Sequence, residues 1–395
     1  MEFGLTPEQE AFRQEVRAWL KQELPPGFKG YEHGVEFQGE PWEFTKALAK
    51  KLAQKGWLTL SWPKEYGGLG RPLMEHVIYR EEMAYHGVPG IDMGIGGVSW
   101  VGPTIMMYGT EEQKREHLPP IARGERFWCT LYSEPGTGSD LASLQSQAVA
   151  DGDDYIVRGQ KIWNSAAHVA DWGWLAARTD PNAPKHKGIS LFVVDMKSKG
   201  ITVRPIITMA KLHYFNEVFF DEVRVPKLNR VGEENHGWYT LAVALDFERS
   251  GIAYSANARR LVEELTDYCR KATRNGAPLA RDPLVQHRLA DATIEAQVAR
   301  LMAYRVAFLQ SQGKVPNYEA SMSKAFGTEM TQRLFRSAMS ILGLHGQLDI
   351  DDKRAPLEGR ILQEYLLAVS ATIAAGTSEI QRNIIAQRGL GLPRS

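Results

Sequence analysis

A block of short β-rich runs set between two long helical stretches is the feature that most constrains how this chain folds. Runs rich in β-branched and aromatic residues occupy 127–132, 145–150, 155–162, 173–178, 190–195 and 217–225. Asp151-Gly152-Asp153-Asp154 separates two of them as a hairpin turn. On both sides of the block, apolar residues recur at helical spacing. That spacing predicts helices over 6–23, 42–54, 74–85 and 111–123 before it, and over 238–272, 283–312, 318–341 and 360–374 after it. Thr6-Pro7-Glu8-Gln9 reads as a capping box with proline in the first turn, followed by Phe12, Val16, Trp19 and Leu20 on one face. Pro25-Pro26-Gly27 and Tyr66-Gly67-Gly68-Leu69-Gly70 mark turns. Helices, then a compact run of strands, then helices again indicate an α+β fold that is mainly α. Pattern alone leaves open a helical protein carrying an inserted β-module of unspecified function.

Composition removes several function classes. The 395 residues include 47 basic and 47 acidic side chains, so no basic excess points to nucleic acid or an anionic membrane surface. No apolar run has the length of a membrane span, and the N-terminus lacks a signal peptide's basic start and apolar centre. Cys129 and Cys269, the two cysteines, fit buried thiols in a reducing cytoplasm. The ten histidines show no metal-ligand spacing, and no metal is expected.

Four segments carry the chemistry. Tyr132-Ser133-Glu134-Pro135-Gly136-Thr137-Gly138-Ser139-Asp140 follows a strand, and its glycines allow close backbone approach to a planar ligand. On composition alone it is an ordinary turn. Lys161-Ile162-Trp163-Asn164-Ser165 ends a later strand, where a tryptophan is most often core. Leu245-Asp246-Phe247-Glu248-Arg249 lies on an expected helix. Asp246 and Glu248, two residues apart, point about 200° apart around such an axis, so both cannot face one ligand. The last segment pairs Ser340-Ile341-Leu342-Gly343-Leu344-His345-Gly346 with Ala374-Ala375-Gly376-Thr377-Ser378-Glu379-Ile380-Gln381-Arg382.

Taken in order, these segments resemble those of the acyl-CoA dehydrogenase family, in its bacterial subgroup that includes pimeloyl-CoA and steroid side-chain dehydrogenases. The likeness also takes in Trp62-Pro63-Lys64-Glu65-Tyr66-Gly67-Gly68 and Leu390-Gly391-Leu392-Pro393-Arg394, and covers nearly the whole chain. It implies an N-terminal helical domain at 1–126, a central β-domain at 127–231 and a C-terminal four-helix bundle at 232–395. It implies FAD as cofactor, contacted by Thr130, Leu131, Tyr132, Ser133, Gly138, Ser139, Trp163, Asn164, Ser165, Gly343, Thr377 and Glu379. An acyl-CoA substrate would meet Ser139, Asp246, Arg249, Ala375 and Gly376. Electrons would pass to an electron-transfer flavoprotein, and the assembly would be a homotetramer or a heteromer with a homologous subunit.

Two departures from the family pattern stand out. Many members place the catalytic glutamate just before the glycine of the last segment; this chain has Ala375 there. A minority place it where this chain has Glu248, so the resemblance makes Glu248 the base. The R-x-x-F-G string that supplies an arginine to the FAD pyrophosphate is replaced by Thr273-Arg274-Asn275-Gly276-Ala277-Pro278, leaving open whether Arg274 substitutes. An acyl-CoA oxidase and a subunit of a heteromeric dehydrogenase remain the alternative functions.

Overall fold

The computed structural model describes residues 4–31, 35–89, 97–244 and 251–393. In chain order its helices begin with α1 (Pro7–Glu23), α2 (Gly39–Gln54), α3 (Leu73–Tyr85), α4 (Gly102–Tyr108) and α5 (Glu111–Ala122). The strands β1 (Trp128–Leu131), β2 (Gln147–Asp151), β3 (Asp154–Lys161), β4 (Trp172–Arg178), β5 (Ile189–Asp195), β6 (Ile201–Ile207), β7 (His213–Pro226) and β8 (Arg230–Val231) follow. Then come α6 (Gly237–Ala244), α7 (Ile252–Lys271), the short hairpin β9 (Thr273–Arg274) and β10 (Ala277–Pro278), α8 (Pro283–Ser311), α9 (Asn317–Leu342), α10 (Arg360–Ala371) and α11 (Ser378–Ile384). The chain forms two compact units. One comprises Met1–Glu32, Pro72–Val88 and Arg249–Ser395; the other comprises His33–Arg71 and Pro89–Glu248.

The second unit is organised by its sheet, in which β1 to β8 join with the order β6-β7-β3-β2-β4-β5-β8 and β1 pairs in parallel with β4. β4 and β5 are buried along almost their whole length, so their side chains divide by parity between two cores. Trp174, Ala176, Ile189, Leu191 and Val193 join Ile105, Leu118 and Ile121 of α4 and α5. Leu175, Ala177, Phe192 and Val194 point the other way, to Leu131, Val157, Val218 and Phe220. The hairpin expected at 151–154 is present: Asp151 pairs with Asp154 and Gly152 takes φ 60°. The strand β6 was not expected. Its face is half exposed and Pro205 interrupts it, which a sheet tolerates because β6 pairs only with β7 at the sheet edge.

The first unit is helical. α7, α8 and α9 pack around Leu261, Val262, Leu265, Met330 and Leu334, and the small residues Ala292, Ala296 and Ala299 line the inner face of α8. Small side chains on that face let the neighbouring helices approach closely. The expected continuous helix over 238–272 is instead two helices, because Gly251 enters the left-handed region at φ 69° before α7. Thr6 and Gln9 make the anticipated reciprocal cap, with Gln9 N–H donating to Thr6 Oγ1 at 3.3 Å and Thr6 N–H to Gln9 Oε1 at 3.1 Å. Phe12, Val16 and Leu20 are buried as their spacing requires.

α1, α3 and α8 are joined by a buried ionic network. Glu81 and Glu82, adjacent on α3, are both buried. Glu81 accepts from Arg300 Nε at 2.5 Å, Tyr304 Oη at 2.6 Å and Arg13 Nη2 at 2.9 Å. Glu82 accepts from Arg17 Nε at 2.8 Å and pairs with Arg13. Burial alone would raise the Glu81 carboxyl, but its bonds to Arg300, Tyr304 and Arg13 outweigh that and hold it below the ordinary carboxylate range. Cys129 and Cys269 are buried and unpaired, and burial pushes the Cys129 thiol up to about 12. Among the described residues, no helix is long and apolar enough to cross a membrane.

Replacing Glu81 by Gln leaves its arginines without their shared counter-charge and should destabilise the protein by about 3 kcal/mol, read from urea unfolding at pH 7. Because the folded carboxyl titrates below the unfolded value of about 4.3, this contribution is in place above that value and is lost as pH falls through the folded one. The gap between wild type and Glu81→Gln should therefore close in acid. A gap constant from pH 7 to pH 3 would contradict the assignment.

Candidate active site

Candidate residues fall in both units. In the sheet unit, β1 delivers Thr130 and Leu131, and the chain turns at once into the loop Tyr132 to Asp140. The turn is tight, since Glu134 and Thr137 exchange two backbone hydrogen bonds of 3.0 Å across Pro135-Gly136. A Cβ placed on Gly136 or Gly138 would meet nothing within 4 Å, so the outer side of the loop is open to a close neighbour. Ser139 is exposed and Ser133 half-buried.

The second segment lies directly against this loop. Ile162 N–H donates to Ser133 O at 2.9 Å and Asn164 Nδ2 donates to Thr130 O at 2.8 Å. Lys161, fully buried at the end of β3, donates from Nζ to Tyr132 O at 3.0 Å and to Glu134 Oε1 at 2.8 Å. Glu134 also accepts from the backbone N–H groups of Gln145 and Ser146 at 2.6 and 2.8 Å. Burial pushes Lys161 down to about 8, against the pull of Glu134. Burial would raise Glu134, but the Lys161 charge and the backbone donors hold its carboxyl below the ordinary range. Each partner thus favours the charged form of the other against the cost of burial. The pair clamps two segments whose charged residues carried no assigned role in the sequence analysis.

Trp163 then departs from regular structure. Its φ is 62°, a conformation that costs a bulky residue about 1–3 kcal/mol and needs outside support. Asn216 of β7 provides it from both sides, its O accepting from Asn164 N–H at 3.0 Å and its Nδ2 donating to Asn164 O at 2.9 Å. The result holds the indole edge-on to Phe215 at 5.9 Å with 56% of the residue exposed. A tryptophan expected to be core on composition is thus presented outward. Asn164 Oδ1 and Thr137 Oγ1 are buried without a hydrogen-bond partner among the described residues. An exposed aromatic plane, open glycines and unmatched buried acceptors fit a planar, hydrogen-bonding group such as a flavin ring.

The helical unit holds the other candidates. After α10 the chain passes through Ala375 at φ 52° and Gly376 at φ 84°, two successive left-handed residues, before Thr377 caps α11 by accepting from Ile380 N–H at 3.2 Å. A side chain at 376 would be strained, and its Cβ would lie 2.6 Å from Gln381 Nε2. The carbonyls are drawn inward: Gly376 O accepts from Lys324 Nζ at 2.7 Å and Gln381 Nε2 at 3.2 Å, and Ala375 O from Gln381 Nε2 at 3.3 Å. Glu379 is exposed in the first turn of α11, and Ala375 presents only a methyl group to its exposed surroundings. Ser378 Oγ is another buried atom without a partner.

Arg274 and Gly343 also come together in this unit. The Asn275-Gly276 turn takes φ 51° and 79°, the backbone of a tight hairpin between β9 and β10. It directs Arg274 Nη2 to donate to Ile341 O at the end of α9, 3.6 Å from where a Cβ on Gly343 would sit. Asp246, Glu248 and Arg249 lie outside the described residues.

Lys161→Met should destabilise the sheet unit by about 3–5 kcal/mol, because Glu134 stays buried without its counter-charge. Adding Glu134→Gln should recover part of that loss, measured as a double-mutant cycle in urea. Strict additivity of the two changes would contradict a coupled pair.

Models of the acyl-CoA dehydrogenase N-terminal, middle and C-terminal domains match residues 6–125, 129–223 and 235–390 respectively. The chain is 37% identical over 402 residues to acyl-CoA dehydrogenase FadE26 of Mycobacterium tuberculosis, with 100% of each chain covered. Its fold is similar to the ChsE4-ChsE5 complex from Mycobacterium tuberculosis, with a TM-score of 0.88 at 37% identity, again covering 100% of both chains. A structure described as Tcur3481-Tcur3483 steroid ACAD gives a TM-score of 0.88 at 35% identity with 100% of each chain covered. These matches agree with the order of motifs in the sequence and with the helical, β and helical architecture. The chain belongs to the acyl-CoA dehydrogenase family.

Proposed function

We propose that this protein oxidises the Cα–Cβ bond of an acyl-CoA thioester to the 2-enoyl-CoA, with Glu248 removing the α-proton. The observation that carries this reading is the left-handed pair Ala375-Gly376, which offers backbone but no carboxylate. A base must then come from elsewhere, and Glu248 is the position that the family resemblance supplies. FAD, when bound, supplies the acceptor for the β-hydride. The chain's residues suit the remaining tasks. Thr130, Leu131, Tyr132, Ser133, Gly138, Ser139, Trp163, Asn164 and Ser165 would hold the flavin, with Asn164 Oδ1 and Thr137 Oγ1 available as acceptors. In the helical unit the family resemblance assigns flavin contacts to Gly343, Thr377 and Glu379, and Arg274, beside Gly343, is the candidate cation for a phosphate.

The thioester needs its carbonyl held by donors that act as the α-proton leaves. Preset donors of this kind are typically worth about 3–4 kcal/mol each in the transition state. Ala375 retains its N–H and can serve there, with Ser139, Asp246, Arg249 and Gly376 along the acyl-CoA. A carboxylate with an ordinary value of about 4.3 is a modest base, so partial exclusion of water around Glu248 would raise its strength.

Small residues at Ala374 and Ala375 leave room beside the reacting carbons, and both are exposed in the helical unit. Together with the similarity to a steroid ACAD, this favours a bulky, branched or cyclic acyl group. The similarity to the ChsE4-ChsE5 complex favours a second reading of the assembly, in which the chain works beside a homologous subunit. Electron-transfer flavoprotein would take the electrons in either case.

The test is the visible spectrum of the FAD-loaded protein, taken anaerobically with straight, branched and polycyclic acyl-CoAs. The bulky class should bleach the flavin band at least about tenfold faster than straight chains, a margin within reach of pocket shape alone. Preference for a straight chain would overturn the substrate assignment. Bleaching by none, even after a homologous subunit is added, would overturn the reaction itself.

A further inference from the structure

Lys324 has no part in the function derived above, yet it is bound to the segment on which that function turns. It rises from α9 among the small residues Ser321, Ser323, Ala325 and Gly327, all buried. Its ammonium donates to Gly376 O at 2.7 Å and to Ala371 O, the last residue of α10, at 3.2 Å. Burial lowers its pKa, and Glu329 and Glu379 oppose that shift.

The consequence concerns the other side of the same peptides. In a trans peptide the C=O and N–H point in opposite directions. With the carbonyls of Ala375 and Gly376 tied to Gln381 and Lys324, the N–H groups of Gly376 and Thr377 are turned away from them. Among the described residues, none of the N–H groups of Ala375, Gly376 and Thr377 donates to a protein acceptor. Ala375 holds a left-handed conformation that costs a residue with a Cβ about 1–2 kcal/mol, and the hydrogen bonds to the carbonyls of Ala375 and Gly376 offset that cost.

We infer that Lys324 is a positioning residue for thioester recognition: by holding Ala371 O and Gly376 O it fixes the backbone on either side of Ala375, and so presets the Ala375 N–H, with those of Gly376 and Thr377 beside it, to receive the substrate's thioester oxygen. This rests on the acyl-CoA reading proposed above. Its chemistry is electrostatic, with no bond made or broken by Lys324 itself. The half-buried positive charge also polarises the Gly376–Thr377 peptide in the direction that favours a developing enolate. Because Ala375 brings no carboxylate, what it offers the thioester is backbone geometry.

The experiment uses the FAD-loaded protein with Lys324→Met and, in case that variant folds poorly, Lys324→Gln, which keeps a donor and loses the charge. Two probes separate positioning from general damage. One is a 3-thia-acyl-CoA, which has an ionisable α-proton and no β-hydride to lose. The other is the matching CoA thioether, which lacks the carbonyl. In wild type, titration of the bound 3-thia compound reports its α-proton pKa through the flavin spectrum. The variants should raise that pKa by about one unit, a tenfold loss of enolate stabilisation. They should lower kcat by about tenfold with KM changed less than about twofold, and bind the thioether as wild type does. An unchanged α-proton pKa in a folded variant would overturn the inference, as would equal losses for thioether and thioester. A wild-type protein that binds neither probe would instead overturn the acyl-CoA reading beneath it.

Discussion

The buried pair of Lys161 and Glu134 is the interaction on which the candidate site depends. A lysine and a glutamate are removed from water at the end of β3 and in the loop after β1, and each satisfies the other while also binding backbone. Such pairs add little net stability compared with apolar packing, but they strongly penalise any arrangement that separates the partners. Here the penalty fixes the register between two segments that regular strand pairing does not join. With that register set, Asn164 bonds to Thr130, and Asn216 brackets Asn164 so that Trp163 stays in its left-handed, outward-facing conformation.

The same device recurs in the helical unit. Lys324 and Gln381 draw in the carbonyls of a left-handed pair, and among the described residues the N–H groups of Ala375, Gly376 and Thr377 donate to no protein acceptor. In both units a partly or fully buried side chain holds irregular backbone that secondary structure would not hold. The network at Glu81 and Glu82 is different in purpose: it joins α1, α3 and α8 and gives those helices a fixed mutual packing. Irregular backbone at the candidate sites thus rests on frames that are themselves conventional, one a two-faced sheet and the other a helical bundle with a small-residue face.

Much of this was legible in local pattern. The capping box at Thr6, the Asp151–Asp154 hairpin and the long helices each follow from residues within a turn or two of one another. The segments that mark the family were legible as strings. What escaped was of three kinds. β6 escaped because Pro205 and a half-exposed face weaken the alternation that marks a strand, and only pairing with β7 reveals it. Lys161–Glu134 and Lys324–Gly376 escaped because their partners lie 27 and 52 residues apart, beyond the reach of periodicity. The split between α6 and α7 turned on the single residue Gly251, which a helical pattern absorbs without notice. For the lysines and for Gly251 the signal was present in type, a charge or a glycine inside an otherwise apolar or small stretch, but its meaning required the fold.

The central claim is that a glutamate at 248 does the work that Ala375 cannot. It is tested most directly by mixing an FAD-loaded Glu248→Gln variant anaerobically with the acyl-CoA that reduces the wild type, and following the flavin band through one turnover. The account predicts flavin content equal to wild type and reduction slowed by about 10²–10⁴, the usual contribution of a positioned general base. Flavin reduced at close to the wild-type rate would contradict it and send the search for the base elsewhere in the chain.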